Sequence, residues 1–221
     1  MRKFSDYDLI VFDCDGVLLN SNKLKIKAME NALKDAGCKT VEVNKCTTFF
    51  ASNFGKSRFY HIDYFVNNYI NLEGTNIENF KKEILSNYSK QCESLYFLAD
   101  ITPFTKKLLI ESQAIKYVAS GSEQNELRTV FKARQLDSYF NDVLGSPEKK
   151  SVHLSSILKR NLNSKAVMIG DAFSDLEAAQ INNIDFIFYS PFSLVEPELR
   201  KLCNELNYRV VDSFDEVIKE L

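Results

Sequence analysis

The sequence predicts an α/β protein, a parallel sheet covered by helices on both faces and interrupted early by an all-helical insert. Two observations carry this. Short β-rich apolar runs alternate with helical patterns through the second half of the chain, the arrangement that builds a parallel sheet. Between the first such run and the second lies a long stretch with helical spacing and no buried strand.

The predicted strands are Leu9–Phe12, Ile115–Ala119, Asp142–Leu144, Ala166–Ile169, Phe186–Tyr189 and Arg209–Val211. Helical spacing appears over Thr105–Ser112, Glu123–Arg134, Val152–Leu162 and Asp175–Ile181. Pro103, Pro147, Pro191 and Pro197 fall in the connections or near helix starts, where a missing N–H costs least. The insert reads as three helices, Lys23–Asp35, Ser57–Ile70 and Ile77–Tyr96. Its aromatics Phe59, Tyr60, Tyr64, Phe65 and Tyr69 recur at roughly helical spacing and read as core packing. The expected division is therefore a core of residues 1–19 and 96–221 and a helical domain of residues 20–95.

Bulk properties narrow the partners. With 221 residues, 45% apolar and 26% charged, the chain suits a core domain plus a smaller insert. A net charge of −2 gives no basic surplus for nucleic acid. No apolar run reaches membrane-spanning length, and the polar start, Met1 to Asp8, does not read as a signal peptide. Five dispersed cysteines without a CxxC pair suit reduced thiols. The expectation is a cytoplasmic protein with a small-molecule partner, binding neither nucleic acid nor membrane. Cys14 lies between two aspartates but is turned from them by strand alternation, so it reads as a small core residue.

Ligands of a parallel sheet bind beyond the carboxyl ends of its strands. Asp13, Asp15 and Gly16 follow the first run, and Ser120 and Gly121 the second. Lys149 and Lys150 follow the third in "GSPEKKS", and Gly170, Asp171 and Asp175 the fourth. Each fragment alone is common. Together they bring several carboxylates to one sheet edge, and such a cluster needs a cation. Oxygen ligands without nearby His or Cys suggest Mg2+, which takes one or two carboxylates plus a substrate phosphate. Hydroxyl and ammonium groups suit the phosphate oxygens.

The motifs "VFDCDGVLLNS", "YVASGS", "GSPEKK" and "VMIGDAFSDLEAA" resemble those of the haloacid dehalogenase-like hydrolases, and the helical insert resembles that family's cap. The resemblance spans essentially the whole chain and implies a Rossmann-like core. It implies Asp13 as nucleophile, forming an aspartyl-phosphate. Asp15 would protonate the leaving oxygen and then activate water, with neighbouring negative charge raising its pKa. Ser120 and Gly121 would hold the phosphoryl group. Lys150, or Lys149 as the alternative, would neutralise nucleophile and phosphate. The implied metal ligands are Asp13, Asp15 through its carbonyl, Asp171 and Asp175, the last directly or through water. An acid at Asp15 points to phosphoryl transfer and away from dehalogenation.

"GKSRF", Gly55 to Phe59, resembles the cap loop of β-phosphoglucomutase-like members, in which an arginine placed like Arg58 grips a second anion. The other reading of Arg58 is a surface arginine at a helix start. Those mutases carry a histidine ten residues beyond the second aspartate, where this chain has Lys25. Asn20–Ser21 stands in place of the frequent Asp–Ser or Asp–Thr pair. His61 and His153 read as packing or surface residues away from the four motifs. The expected function is a magnesium-dependent phosphatase of a small phosphorylated metabolite, a phosphosugar or phosphoglycolate-like compound. The alternatives are a sugar phosphomutase and a non-catalytic phospho-ligand binder.

Overall fold

A computed structural model describes residues 2–72 and 76–221. Six parallel strands form the main sheet: β1 (Leu9–Phe12), β4 (Ile115–Glu123), β5 (Asp142–Ser146), β6 (Ala166–Gly170), β7 (Asp185–Tyr189) and β8 (Arg209–Val211). Their order is β5-β4-β1-β6-β7-β8. The chain winds outward from β1 through β4 to β5, then returns to the far side of β1 and winds out again. That reversal places a topological switch point at β1 and β6, where the carboxyl ends open a crevice.

Period-two alternation splits the strand side chains between two cores. Leu9, Val11, Met168, Phe186 and Phe188 pack with Leu154, Ile157, Leu176 and Leu199. These come from β1, β6 and β7 and from α7 (Lys150–Arg160), α8 (Phe173–Ile181) and α9 (Glu196–Glu205). On the other face Ile10, Phe12, Val118, Val167 and Ile169 pack with Leu108, Phe131 and Phe214. Those last three belong to α5 (Thr105–Glu111), α6 (Gln124–Ala133) and α10 (Phe214–Ile218). This second core is continuous with the interior of the helical insert through Met29, Phe65 and Ile84.

The described residues of the insert form four helices: α1 (Asn22–Asp35), α2 (Thr40–Ser52), α3 (Arg58–Asn68) and α4 (Ile77–Leu98). Three match the sequence expectation to within a few residues. The fourth, α2, was not expected. Its sequence, TVEVNKCTTFFAS, is rich in β-branched residues of poor helix propensity, yet it buries Val43, Cys46 and Phe50 on one face. Two further helices, α9 and α10, also went unread; α9 carries Pro197 in its first turn, where proline is tolerated. The chain enters and leaves the insert through a two-stranded antiparallel ribbon of β2 (Leu19–Asn20) and β3 (Asp100–Ile101). The helix α4 runs on to Leu98, past the boundary placed at 95.

At the carboxyl end of β4 the register shifts: Ala119 pairs with Leu144, but Glu123 pairs with Ser146. Four steps along β4 thus face two along β5. Such a bulge re-aims the intervening residues, Ser120, Gly121 and Ser122, out of the ladder. No helix among the described residues is long and apolar enough to cross a membrane.

Phe131 is fully buried and meets Phe140 edge-on, with ring centroids 5.7 Å apart. Phe131→Ala is expected to lower unfolding free energy by about 3–5 kcal/mol, measured by urea titration. A loss below about 1 kcal/mol would show that this wall of the core collapses freely onto the missing ring.

Candidate active site

The end of β1 fixes the first carboxylate. The Asp13 amide extends the ladder to the carbonyl of Ile169 at 2.9 Å, and the side chain emerges buried at 1% exposure. A tight turn follows, closed by the Leu18 and Leu19 amides on the Cys14 carbonyl. Gly16 sits there at φ +79°, and a Cβ on it would stand 2.2 Å from Asp171 Oδ2 and 2.4 Å from Asn22 Nδ2. Both the backbone region and the crowding demand glycine.

Carboxylate oxygens of Asp13, Asp171 and Asp175 lie within 4.8 Å of one another, all buried. Lys150, in the first turn of α7, puts its Nζ 3.0 Å from Asp13 Oδ1 and 2.5 Å from Asp175 Oδ1. Lys149, the alternative, is exposed at the helix cap. Asp175 is fully engaged. Its Oδ2 accepts from the backbone N–H groups of Asp171 and Ala172 at 3.2 and 3.1 Å, while Lys150 donates to Oδ1. Asp171 Oδ2 accepts from Asn22 Nδ2 at 2.6 Å. Among the described residues Asp171 Oδ1 is buried without a hydrogen-bond partner, and Asp13 Oδ1 meets the Lys150 ammonium alone.

Three carboxylates around one ammonium leave excess negative charge in a dry place. Burial, outweighing the pull of Lys150 and reinforced by Asp175 and Asp15, raises Asp13 to about 7. Burial, with Asp13 and Asp175 adding to it, pushes Asp171 well above the carboxylate range. Burial works against the charged form of Lys150, but Asp13 and Asp175 more than offset it and hold its pKa above the ordinary lysine value. An acceptor without a donor, in a site that resists further negative charge, fits a hard divalent cation such as Mg2+.

Asp15 behaves differently, which corrects one expectation. It is 3% exposed, and burial alone would raise its pKa. Lys25 Nζ lies 2.7 Å from Oδ2, Ser122 Oγ donates to Oδ2 at 2.7 Å, and Ser21 Oγ donates to Oδ1 at 2.6 Å. These outweigh burial and hold Asp15 below the usual carboxylate range. The expected rise from neighbouring negative charge does not occur, because a buried ammonium is nearer. The Tyr96 hydroxyl completes the network, 2.8 Å from Lys25 Nζ and 3.1 Å from Asp15 Oδ2. The Asp15 carboxylate therefore stands apart from the three-carboxylate group.

Ser120 and Gly121 share a small cleft of about 20 Å³ with Asp13, Asp15 and Arg58. Lys25, Phe50, Phe54, Gly55, Lys56, Tyr88 and Ser122 line it too. The loop before α3 closes over β4 so tightly that a Cβ on Gly121 would stand 2.3 Å from the Gly55 carbonyl oxygen. Arg58 is no surface residue: it is 4% exposed and ion-paired to Glu126. Ser21, Asn22, Lys25, Tyr96, Ser122 and Glu126 all touch the site and were not singled out as members of it. Lys25 had a sequence signal in its spacing from Asp15, and Ser21 and Ser122 lie within the motifs quoted above; Asn22, Tyr96 and Glu126 had none.

His153 lies one turn beyond Lys150, with Nε2 3.0 Å from the Gly145 carbonyl oxygen, so it backs the third motif instead of lying away from it. His61 is fully buried among aromatic rings, 4.6 Å from that of Phe50, and burial drives it down to about 3, with Lys56 and Lys25 adding to the effect. Cys14 is buried, its thiol raised first by burial and then by the two flanking acids, so it is a poor nucleophile.

A doubly wound parallel sheet with carboxylates and a lysine at the switch point, under a helical insert, defines a class of α/β hydrolase. Residues 10–189 match the family model for haloacid dehalogenase-like hydrolase, and the chain belongs to that family. No curated protein matches it by sequence. Among solved structures it is similar to a predicted phosphatase from Clostridium acetobutylicum at 18% identity and TM-score 0.73, covering 97% of each chain. A predicted phosphoglycolate phosphatase from Haemophilus somnus gives 18% identity and TM-score 0.72, again over 97% of each. CbbY from Rhodobacter sphaeroides, solved in complex with phosphate, gives 16% and 0.66 over 96% of each. These likenesses establish the shared fold.

The raised Asp13 and Asp171 give the metal-free protein a distinctive pH response. Folded, both hold protons that the unfolded chain releases, so stability falls as pH rises from about 4 towards 7 and above. The melting temperature without metal is expected to climb as pH drops from 7.5 to 5.5, and millimolar Mg2+ should raise it most at the upper end. A melting temperature indifferent to Mg2+ at pH 7.5 would count against the cation site.

Proposed function

We propose that this hydrolase is a magnesium-dependent phosphatase acting on a small phosphorylated metabolite, a phosphosugar or phosphoglycolate-like compound, through an aspartyl-phosphate on Asp13. The observation that carries the reading is the placement of Asp13. One side chain is shared between the Lys150 ion pair, the Asp171–Asp175 carboxylate group and the cleft that Asp15 and Ser120 also line.

In this reading Asp13 and Asp171 hold Mg2+, with the carbonyl of Asp15. Asp175, already engaged by Lys150 and two amides, orients the site or acts through water. The ion, when bound, neutralises phosphate charge and polarises phosphorus. An Asp13 oxygen forms the new bond to phosphorus as the ester P–O bond breaks. Asp15 gives its proton to the departing alkoxide. It then takes a proton from water, whose oxygen attacks phosphorus and releases the Asp13 carboxylate and inorganic phosphate. Asp15, ionised beside Lys25 in the free site, takes up the proton it donates from solvent as the phosphate arrives, and releases the proton it gains from water as the product leaves. The Lys25 contact makes it a stronger acid towards the leaving group, and the arriving phosphoryl charge draws its pKa back up. Lys150 balances the charge on Asp13, and Ser120 and Gly121 hold the transferring group.

Residues 20–95 are proposed as the cap, hinged on the β2–β3 ribbon, and the close approach of Gly55 to Gly121 supports a closed lid that excludes water. Five free cysteines suit a reducing, cytoplasmic setting.

The test is hydrolysis of p-nitrophenyl phosphate with and without Mg2+. Release is expected to require the metal and to fall by about a thousandfold or more in Asp13→Asn, the loss typical of a removed nucleophile. Metal-independent release, or an Asp13→Asn enzyme as active as the parent, would sink the proposal.

A further inference from the structure

The geometry points to Glu126 as a specificity-determining residue that commits this site to phosphate monoesters of uncharged, hydroxyl-bearing alcohols. The inference rests on the phosphatase reading above and narrows its substrate to the phosphosugar type.

Arg58 opens α3 and lines the cleft, but its charge is taken. Its Nη1 and Nη2 donate to the two carboxylate oxygens of Glu126 at 2.7 and 2.5 Å, and Nη1 also donates to Ser89 Oγ at 2.7 Å. The guanidinium lies 4.9 Å from the centre of the Tyr88 ring. The two side chains are 4% and 13% exposed. Glu126 belongs to the first turn of α6, where the helix dipole favours a carboxylate, and its amide is capped by Glu123 at 2.8 Å. The pair therefore joins the insert to the core by a two-pronged bond in a nearly dry place.

A substrate carrying a carboxylate or second phosphate meets this arrangement badly. To use Arg58 it must displace Glu126, leaving a buried carboxylate unpaired, or sit beside that carboxylate and be repelled. The cleft's other buried ammonium, that of Lys25, is held by Asp15. Lys56, half-buried at the mouth, lies against the Tyr60 ring, 4.6 Å from its centre. An uncharged oxygen meets no such penalty. Arg58 Nε is a buried donor without a hydrogen-bond partner among the described residues, and a hydroxyl oxygen that reached it would satisfy it without disturbing the ion pair. Phe50, Phe54 and Tyr88 supply the carbon-facing wall.

The experiment compares two esters of matched size, 2-hydroxyethyl phosphate and 2-phosphoglycolate, with p-nitrophenyl phosphate as reference, on the wild type and Glu126→Gln. The wild type is expected to favour the hydroxyethyl ester by about tenfold or more in kcat/KM. Glu126→Gln frees the guanidinium, and the preference should shrink by about tenfold, through a lower KM for 2-phosphoglycolate. A wild type that prefers 2-phosphoglycolate, or a preference that moves less than about twofold in the variant, overturns the proposal while leaving the phosphatase reading intact. If Glu126→Gln does not fold, the wild-type preference decides alone. Failure to hydrolyse all three esters overturns the phosphatase reading and this one with it.

Discussion

A buried ammonium held between two buried carboxylates is the contact around which the rest of the site is arranged. Lys150 lies on a helix covering one face of the sheet, Asp13 follows the first strand, and Asp175 lies on α8, the helix after β6. Burying such charges is costly, and truncating one partner of a buried pair typically costs about 3–5 kcal/mol because the other is left unpaired. The fold tolerates the arrangement because every participant is engaged. Asp175 alone receives Lys150 and two backbone amides. The carboxylates of Asp13 and Asp171 are the part of the site whose charge a bound cation would balance.

The second aspartate shows how two residues in one turn acquire opposite chemistry. Asp13 and Asp15 are separated by one cysteine and are equally buried, yet Asp13 is raised and Asp15 lowered. The difference lies in their neighbours. Asp13 shares Lys150 with Asp175 and lies beside Asp171, while Asp15 is the one carboxylate paired with Lys25 and accepts from three hydroxyl donors. Divergent environments for paired acids are a common means of separating roles in catalysis.

The sheet was legible in the sequence because its strands are buried on both faces and read as unbroken apolar runs between helices. Asp13, Ser120 and Asp171 were legible for a related reason, since position after a strand end is a one-dimensional fact. The helix α2 was not, because threonine and valine carry a weak helical signal that only packing overrides. Neither was Glu126. A glutamate in the first turn of a helix is ordinary, and only the folding of residues 58 and 126 into contact gives it meaning. The pKa of Asp15 was misjudged for the same reason, because local charge was visible and Lys25, brought back by the first turns of α1, was not weighed against it.

The two ends of the helical insert both reach Asp15. Ser21 and Lys25 belong to its entry and Tyr96 to the last turns of α4 before its exit, on either side of the β2–β3 ribbon. The proton affinity of that carboxyl therefore depends on residues from both ends of the insert at once. Were the insert to swing on its ribbon, an ammonium and a phenol would move with it, and mechanical position would become acidity.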